Sequence, residues 1–315
     1  MNAPAERAAG LLAVVITPCE EEEALRTALA AAARCAGMAG YDLMSGPLPP
    51  SPIEPALVLG ADAARLPSAG IGKALVVFGG TESAVEAAVR RFGVSRRAGL
   101  QYCAACLASA HALAEREGSL ATSMADLRRD PEGGFLSIAA ALAPTAPETD
   151  LRAIAAAFAA DLATLKATPD SVYDSYAQAL AIYDDPASAS WDRAIFLAGE
   201  GPDLPCPEII DVTGPRRALL RGPYVTAPPG RWRVAVRFEL TDWAARNGFE
   251  LGLIAGDAQA RVDFQPQGAG VYEAVIEASW TRAGPVDVRL GLARPAFHGE
   301  LRFLGAKIER LPDLV

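Results

Sequence analysis

The chain has 315 residues, 51% of them hydrophobic, which exceeds the usual size of one domain and excludes a mainly disordered protein. The net charge of −9 is uneven: residues 1–204 carry 15 Lys+Arg against 25 Asp+Glu, and residues 205–315 carry 14 against 13. An acidic front repels phosphate backbones, so nucleic-acid binding is excluded as the main role.

The start, "MNAPAERAAGLLAVVITPCEEEE", has an apolar run of only about seven residues followed by four glutamates. It lacks the basic start, longer apolar core and cleavage site of a signal peptide. No run approaches the roughly 18 residues that span a membrane. Five cysteines, an odd number in a long chain, fit a reducing compartment, and a cytoplasmic location is expected. Heavy use of alanine and arginine, with lysine only at Lys73, Lys166 and Lys307, fits a GC-rich bacterial coding sequence.

"LLAVVIT" (11–17) reads as a strand buried on both faces, and "PCEEEEALRTALAAAARCAG" as a helix whose first turns are acidic, where the helix dipole favours them. "PALVLGAD" (55–62) and "KALVVFGG" (73–80) are two further buried strands. "TESAVEAAVRRFG" (81–93) gives a helix with Thr81 as N-cap and arginines near its end. Such alternation predicts a layered, parallel α/β region over residues 1–95 of flavodoxin- or Rossmann-like type.

Residues 96–200 read as helical and packed on that region. "TDLRAIAAAFAADLATLKATPD" places Leu151, Ile154, Phe158, Leu162 and Leu165 on one face and stops at Pro169. "SVYDSYAQALAIYDD" is a further helix closed by Pro186. "GEGPDLPCPE" is a connector. Beyond it eight strands are expected: Ile209–Val212, Ala218–Thr226, Arg231–Leu240, Phe249–Ala255, Ala260–Gln265, Val271–Trp280, Val286–Ala293 and Leu301–Arg310. Short strands at this spacing predict an all-β sandwich of jelly-roll type over residues 205–315.

In "RGPYVTAPPGRWRVAVRFEL" (221–240), Trp232, Val234, Val236, Phe238 and Leu240 alternate with Arg231, Arg233, Ala235, Arg237 and Glu239. The arginine stems at i and i+2 stand about 6.6 Å apart on the outer face. A row of this kind suits anionic sugars, sulfates or phosphates, because guanidinium forks bind oxyanions in bidentate fashion. The competing reading pairs it with Glu273 and Glu277 of the strand Val271–Trp280 across an exposed face. Sugar-binding sandwiches also stack exposed aromatic rings on pyranoses, and Tyr224, Trp243, Trp280 and His298 are the candidates. A ring in a loop such as "TDWAARNG" serves equally as a lid on the core.

"DVTGPRRALLRGPYVTAPPGRWRVAVRFEL", "GVYEAVIEASW" and "VDVRLGLARPAFHGELRFLGAKIERL" together resemble a β-sandwich appended to bacterial envelope-polysaccharide proteins. They are similar in style to galactose-binding-like carbohydrate modules. The resemblance covers about the last 110 residues. It implies a glycan-related context and assigns no binding residue.

The first 200 residues offer weaker chemistry. "VVITPCEEEEALRTALAAAA" resembles the opening of a family 2-type glycosyltransferase, but the chain has no Asp-x-Asp to hold that family's metal. Glu20, Glu21, Asp62 and Thr81 follow loosely the order of acidic and hydroxyl residues in response-regulator receivers, without the fifth strand and its lysine. Cys103, Cys106 and His111 in "QYCAACLASAH" have redox or zinc spacing, against which stands burial of small thiols in an alanine-rich helix. Gly-Ile-Gly-Lys lacks the spacing of a phosphate-binding P-loop. Gly79, Gly80 and Thr81 form a turn into a helix N-terminus, a place for an anion or an ordinary strand-to-helix turn. With only His111 and His298 in the chain, no nucleophile–histidine motif is supported.

Three functions follow as alternatives. The first is a non-catalytic binding protein whose sandwich holds a glycan or a protein partner of an envelope-polysaccharide pathway. The second is an enzyme acting on a nucleotide-sugar or another phosphorylated ligand through the α/β region. The third is a structural, homo-oligomerising protein. No metal or cofactor motif is identified.

Overall fold

The computed structural model describes residues 11–45, 47–48, 55–66, 71–165, 175–184, 187–201 and 203–312. Lys166, Pro169 and Pro186, and with them the ends of two expected helices, lie outside the described residues. The chain divides into two compact units: residues 1–94 with 109–171, and residues 95–108 with 172–315. No helix among the described residues is long and apolar enough to cross a membrane.

The first unit is a parallel sheet of β1 (Leu11–Ile16), β2 (Ala39–Asp42), β3 (Ala56–Gly60), β4 (Ile71–Phe78) and β5 (Ser119–Ser123), in the order β2-β3-β1-β4-β5. Its helical elements are α1 (Glu22–Cys35), α2 (Thr81–Phe92), the end of α3 (Arg96–Ala114), α4 (Met124–Arg129), α5 (Pro131–Leu142) and α6 (Glu148–Thr164). The continuous apolar runs have a direct cause, since both faces of the sheet are covered. Val14, Ile16, Leu57, Leu75 and Val77 pack with Leu25, Leu29, Phe135 and Phe158 of α1, α5 and α6, while Ala13, Val15, Ala74 and Val76 pack with Ala110 and Leu113 of α3.

Two expectations change here. Residues 96–200 are not wholly helical, because β5 lies within them and pairs with β4. "SLATS" carries too few apolar residues to announce a strand, and its identity comes from the ladder with Ala74–Phe78. Thr81 is not the N-cap of α2; Gly80 holds that place in extended conformation, and the helix ends at Gly93 in the left-handed region.

The second unit contains α7 (Ser175–Ala179) and the strands β6 (Ser188–Trp191), β7 (Leu197–Ala198), β8 (Ile209–Asp211), β9 (Ala218–Ala227), β10 (Gly230–Leu240), β11 (Phe249–Ala255), β12 (Ala258–Phe264), β13 (Gly270–Trp280), β14 (Gly284–Leu292) and β15 (Glu300–Leu311), with α8 (Asp242–Ala245) after β10. They make two antiparallel sheets. One runs β13-β10-β15-β6, with β8 also on β15, and the other runs β12-β11-β14-β9-β7. Trp232, Val234, Val236, Phe238 and Leu240 are all buried, as alternation on β10 requires. The Phe238 ring meets Phe249 and Phe264 of the opposite sheet at 6.3 and 5.8 Å, so the sheets form a sandwich.

The connector at residues 199–208 is not the edge of this sandwich. β6 and β7 precede it and join the two sheets through β15 and β9. Strands of four and two residues are too short to show a period, so only their partners define them.

Candidate functional site

The arginines of β10 face β13 in a register that sets Arg233 opposite Glu277 and Arg237 opposite Glu273. Arg231 Nη2 lies 2.8 Å from Glu277 Oε2, and Arg233 Nε lies 3.2 Å from Glu277 Oε1. Arg233 also reaches Glu309 of β15 at 3.5 Å. Lys307 above all, with Arg233, holds the Glu309 carboxyl below its ordinary range. Two of the three arginines are thus neutralised by their own sheet, and no continuous cationic groove results.

The predicted aromatic candidates separate. Trp280 is 2% exposed, donates from Nε1 to the Pro228 carbonyl at 2.8 Å, and stacks on Trp232 with centroids 5.8 Å apart. It is a core residue with no face for a ligand. Tyr224 is half-buried on β9 with φ of 63°, beside Arg221, Asp287 and Arg289. Burial first, then the Asp287 charge, raises its phenol pKa. Asp287 is bound in turn by Arg289 at 2.6 Å and by the Gly222 N–H at 3.2 Å, while Arg221 Nε is buried with no hydrogen-bond partner among the described residues.

In the first unit the Gly79 N–H donates to Thr17 Oγ1 at 2.7 Å, and a Cβ on Gly79 would stand 2.4 Å from that of Cys19. The glycine is there for this close approach. Glu82 Oε2 lies where a Cβ on Gly80 would be 2.6 Å from it. Of the two readings open for the turn through Gly79, Gly80 and Thr81, the Gly79 N–H is already used by the Thr17 hydroxyl and the Glu82 carboxylate stands close to Gly80, which favours an ordinary strand-to-helix turn. Asp62 accepts from Ala64 N–H at 2.9 Å and from Ser109 Oγ at 3.0 Å, capping a 3-10 turn.

The glutamate run is a paired cluster. Glu20 meets Arg90 at 2.5 Å, Glu21 meets Arg128, and Glu22 meets Arg91 at 3.0 Å and Arg26 at 3.4 Å. Burial still raises the Glu22 pKa against these partners. A cleft of about 550 Å³ opens beside Cys19, Glu20, Glu22, Arg91 and Phe92. Burial, then the charges of Glu21 and Glu22, push the Cys19 thiol well up, which is the wrong direction for a nucleophile. Cys103 and Cys106 are fully buried in α3, and the His111 ring packs on Phe78 at 4.6 Å. Among the described residues no group of three or more His, Cys, Asp or Glu is arranged to hold a metal ion.

The sandwich presents a different arrangement at one end, built from three segments. The first is α8, where Asn247 Nδ2 donates to the carbonyls of Trp243 and Ala244, each at 3.1 Å. The second is the β14–β15 loop carrying Phe297 and His298. Gly299, with φ of 135°, brings it so close that a Cβ would stand 2.4 Å from Ala244 N. The Thr241 N–H donates to Glu300 O at 3.2 Å and Thr241 Oγ1 accepts from Glu300 N–H at 3.0 Å, fixing the two segments together. The third is the β12–β13 loop, held by the Tyr272 hydroxyl, which accepts from the Gly268 N–H at 3.1 Å and donates to the Gly268 carbonyl.

Trp243 keeps 56% of its surface exposed at this junction. The Arg246 guanidinium lies 4.5 Å from its ring centroid, and the His298 ring meets it edge-on at 6.2 Å. Phe297 beside them is 94% exposed. Arg246 also lines an adjoining cleft of about 390 Å³ with Asp242, Ala245, Gln265, Pro266, Gln267 and Gly268. Trp243 and His298 were legible as candidates; Asp242, Arg246, Gln265, Gln267 and Phe297 were not. The available signal was the density of polar and aromatic residues in "TDWAAR", "QPQG" and "PAFHG", three segments between strands that alternation of the flanking strands leaves unassigned.

No protein-family model matches the chain, and no curated protein sequence matches it. Among solved structures it is similar to the carbohydrate-binding module TmCBM61 in complex with β-1,4-galactotriose, at 13% identity over 31% of this chain and 67% of that one, with a TM-score of 0.27. The xylan-binding module CBM15 is matched at 9% identity over 40% of this chain and 98% of that one, with a TM-score of 0.27. The insecticidal delta-endotoxin Cry8Ea1 from Bacillus thuringiensis is matched at 10% identity over 36% of this chain and only 23% of that one, with a TM-score of 0.24.

Proposed function

We propose that the protein is a carbohydrate-binding protein whose sandwich unit holds a glycan at the α8 end, with the Trp243 ring as the stacking surface. The observation that carries this reading is the indole itself: more than half exposed, braced by Arg246 and His298, and adjoining an open cleft lined by polar side chains. Ligand sites combine an apolar surface with a few convergent polar groups, and a cleft of this size accommodates sugar residues. A pyranose presents an apolar face for the ring and hydroxyls for Asp242, Arg246, Gln265 and Gln267. An envelope-polysaccharide setting is consistent with the sequence resemblance and is part of the proposal.

The enzyme alternative has less support, because in the α/β unit the acidic run is ion-paired and the one thiol beside the cleft is held protonated. The test is titration of the full chain with galacto-, xylo- and cello-oligosaccharides and with trigalacturonate, read by calorimetry and tryptophan fluorescence. Binding to at least one, weakened tenfold or more by Trp243→Ala, is expected; a factor of ten is about 1.4 kcal/mol. No binding, or binding indifferent to Trp243, overturns the reading.

A further inference from the structure

We propose that β5 is a dimerisation edge, at which two copies of the chain join their parallel sheets about a two-fold axis. β5 is the last strand of its sheet, and among the described residues no strand pairs with its outer side. An unpaired edge offers a row of backbone N–H and C=O groups to any extended chain, and proteins ordinarily guard it with a charge, a proline or a bulge. "SLATS" (119–123) has none of the three: it is uncharged, lacks proline, and pairs with Ala74–Phe78 without a register shift. β2, at the opposite edge, carries the charged Asp42.

Leu120 is 49% exposed on this edge, and Ala121 beside it is exposed as well. A groove of about 320 Å³, lined by Leu120, Leu127, Ile138, Ala141 and Leu142, lies between the strand and α5. Strand addition draws affinity from main-chain hydrogen bonds and fit from side chains that enter such a groove. A second β5 supplies both, with Leu120 as its apolar side chain and no charge to bury. A two-fold contact also needs a self-complementary surface. Glu115 and Glu117 precede the strand, Arg128 and Arg129 follow it, and all four are exposed. Antiparallel pairing sets the glutamate end of each copy beside the arginine end of the other, and opposes Arg116 to Asp126 in the same way. Parallel pairing would set like ends together. Arg129 meets Asp126 and Arg128 meets Glu21 within the chain, so the rim charges choose the orientation while the uncharged strand supplies the affinity.

The test is sedimentation velocity and light scattering on the full-length protein, from the low to the high micromolar range. A concentration-dependent dimer is expected, with amide exchange in residues 119–123 slowing as the dimer forms. Leu120→Lys and Ala121→Lys each place a charge on the edge and should weaken the dimer at least tenfold. Both positions are exposed, so the melting temperature of the dilute protein should hold. A monomer at every concentration overturns the inference and leaves the edge to a strand of a different protein. A dimer that tolerates both lysines, or that forms without slower exchange in β5, overturns it too. Trp243→Ala should leave the dimer unchanged, so dimerisation and the glycan reading stand or fall separately.

Discussion

Trp243 and Trp280 are the same residue type and read alike in the sequence, yet the fold gives them opposite tasks. Trp280 ends β13 pointing inward, where it shares the Pro228 carbonyl with Trp232 and stacks on that ring. Trp280→Ala should cost about 3–5 kcal/mol in urea unfolding, the range for truncating a buried aromatic residue. Trp243→Ala should leave unfolding nearly unchanged, within about 0.5 kcal/mol, because exposed substitutions rarely do more. Comparable losses in the two variants would contradict this division. Gly299 shapes the candidate site through its close approach to the Ala244 backbone. Gly299→Ala forces a left-handed residue against the Ala244 backbone, with an expected loss of about 1–3 kcal/mol and of sugar-dependent fluorescence. An unperturbed Gly299→Ala protein would show that the loop has another way to pack.

At the scale of an element, β10 answers whether arginines on alternate positions make a binding surface. Its inward half was legible, because apolar residues at every second position place themselves against a core. Its outward half was legible only as two alternatives, a binding row or a row paired with Glu273 and Glu277, and the choice between them depends on register, which is a property of two strands. Only the ladder shows that Glu277 serves Arg231 and Arg233 together. Arg233→Ala should therefore change stability by less than about 1 kcal/mol, and less still in high salt, as exposed pairs do. A larger, salt-independent loss would mean that the pair is held far more tightly than its exposure implies. β5 and β6 mark the other limit of element-level reading. They are short, and their residues have no period of their own, so pairing alone makes them strands.

Across the whole molecule the shifted carboxylates do not all respond to acid in the same sense: Asp126 of the α/β unit is lowered, chiefly by Ser123, while Glu22 is raised. In the sandwich unit, Thr281 above all lowers the pKa of Asp257, Thr213 that of Asp211, and Lys307 that of Glu309. A depressed folded-state pKa gives stability that is present above the ordinary carboxylate value and lost as pH falls through the folded one. Glu22 in the α/β unit is raised by burial, so its protonation favours the folded state as pH falls toward the ordinary value. The sandwich melting temperature should thus drop between about pH 5 and pH 3, with a shallower slope in Asp257→Asn. A sandwich transition that is flat or rising over that interval would contradict the assignment.

The two kinds of architecture were legible in the residues, because burial on both faces writes continuous apolar runs and burial on one face writes alternation. Legible as well was the place of the glutamates of residues 20–23 at the start of a helix, since the helix dipole favours them there. What those charges meet, how far each candidate tryptophan is buried, and the place of the candidate site at the α8 end rest on contacts between segments. Asp242 comes from α8, and Gln265 and His298 from two loops further along the chain. Their meeting depends on the strand register and on the close approach at Gly299, and no local pattern encodes either.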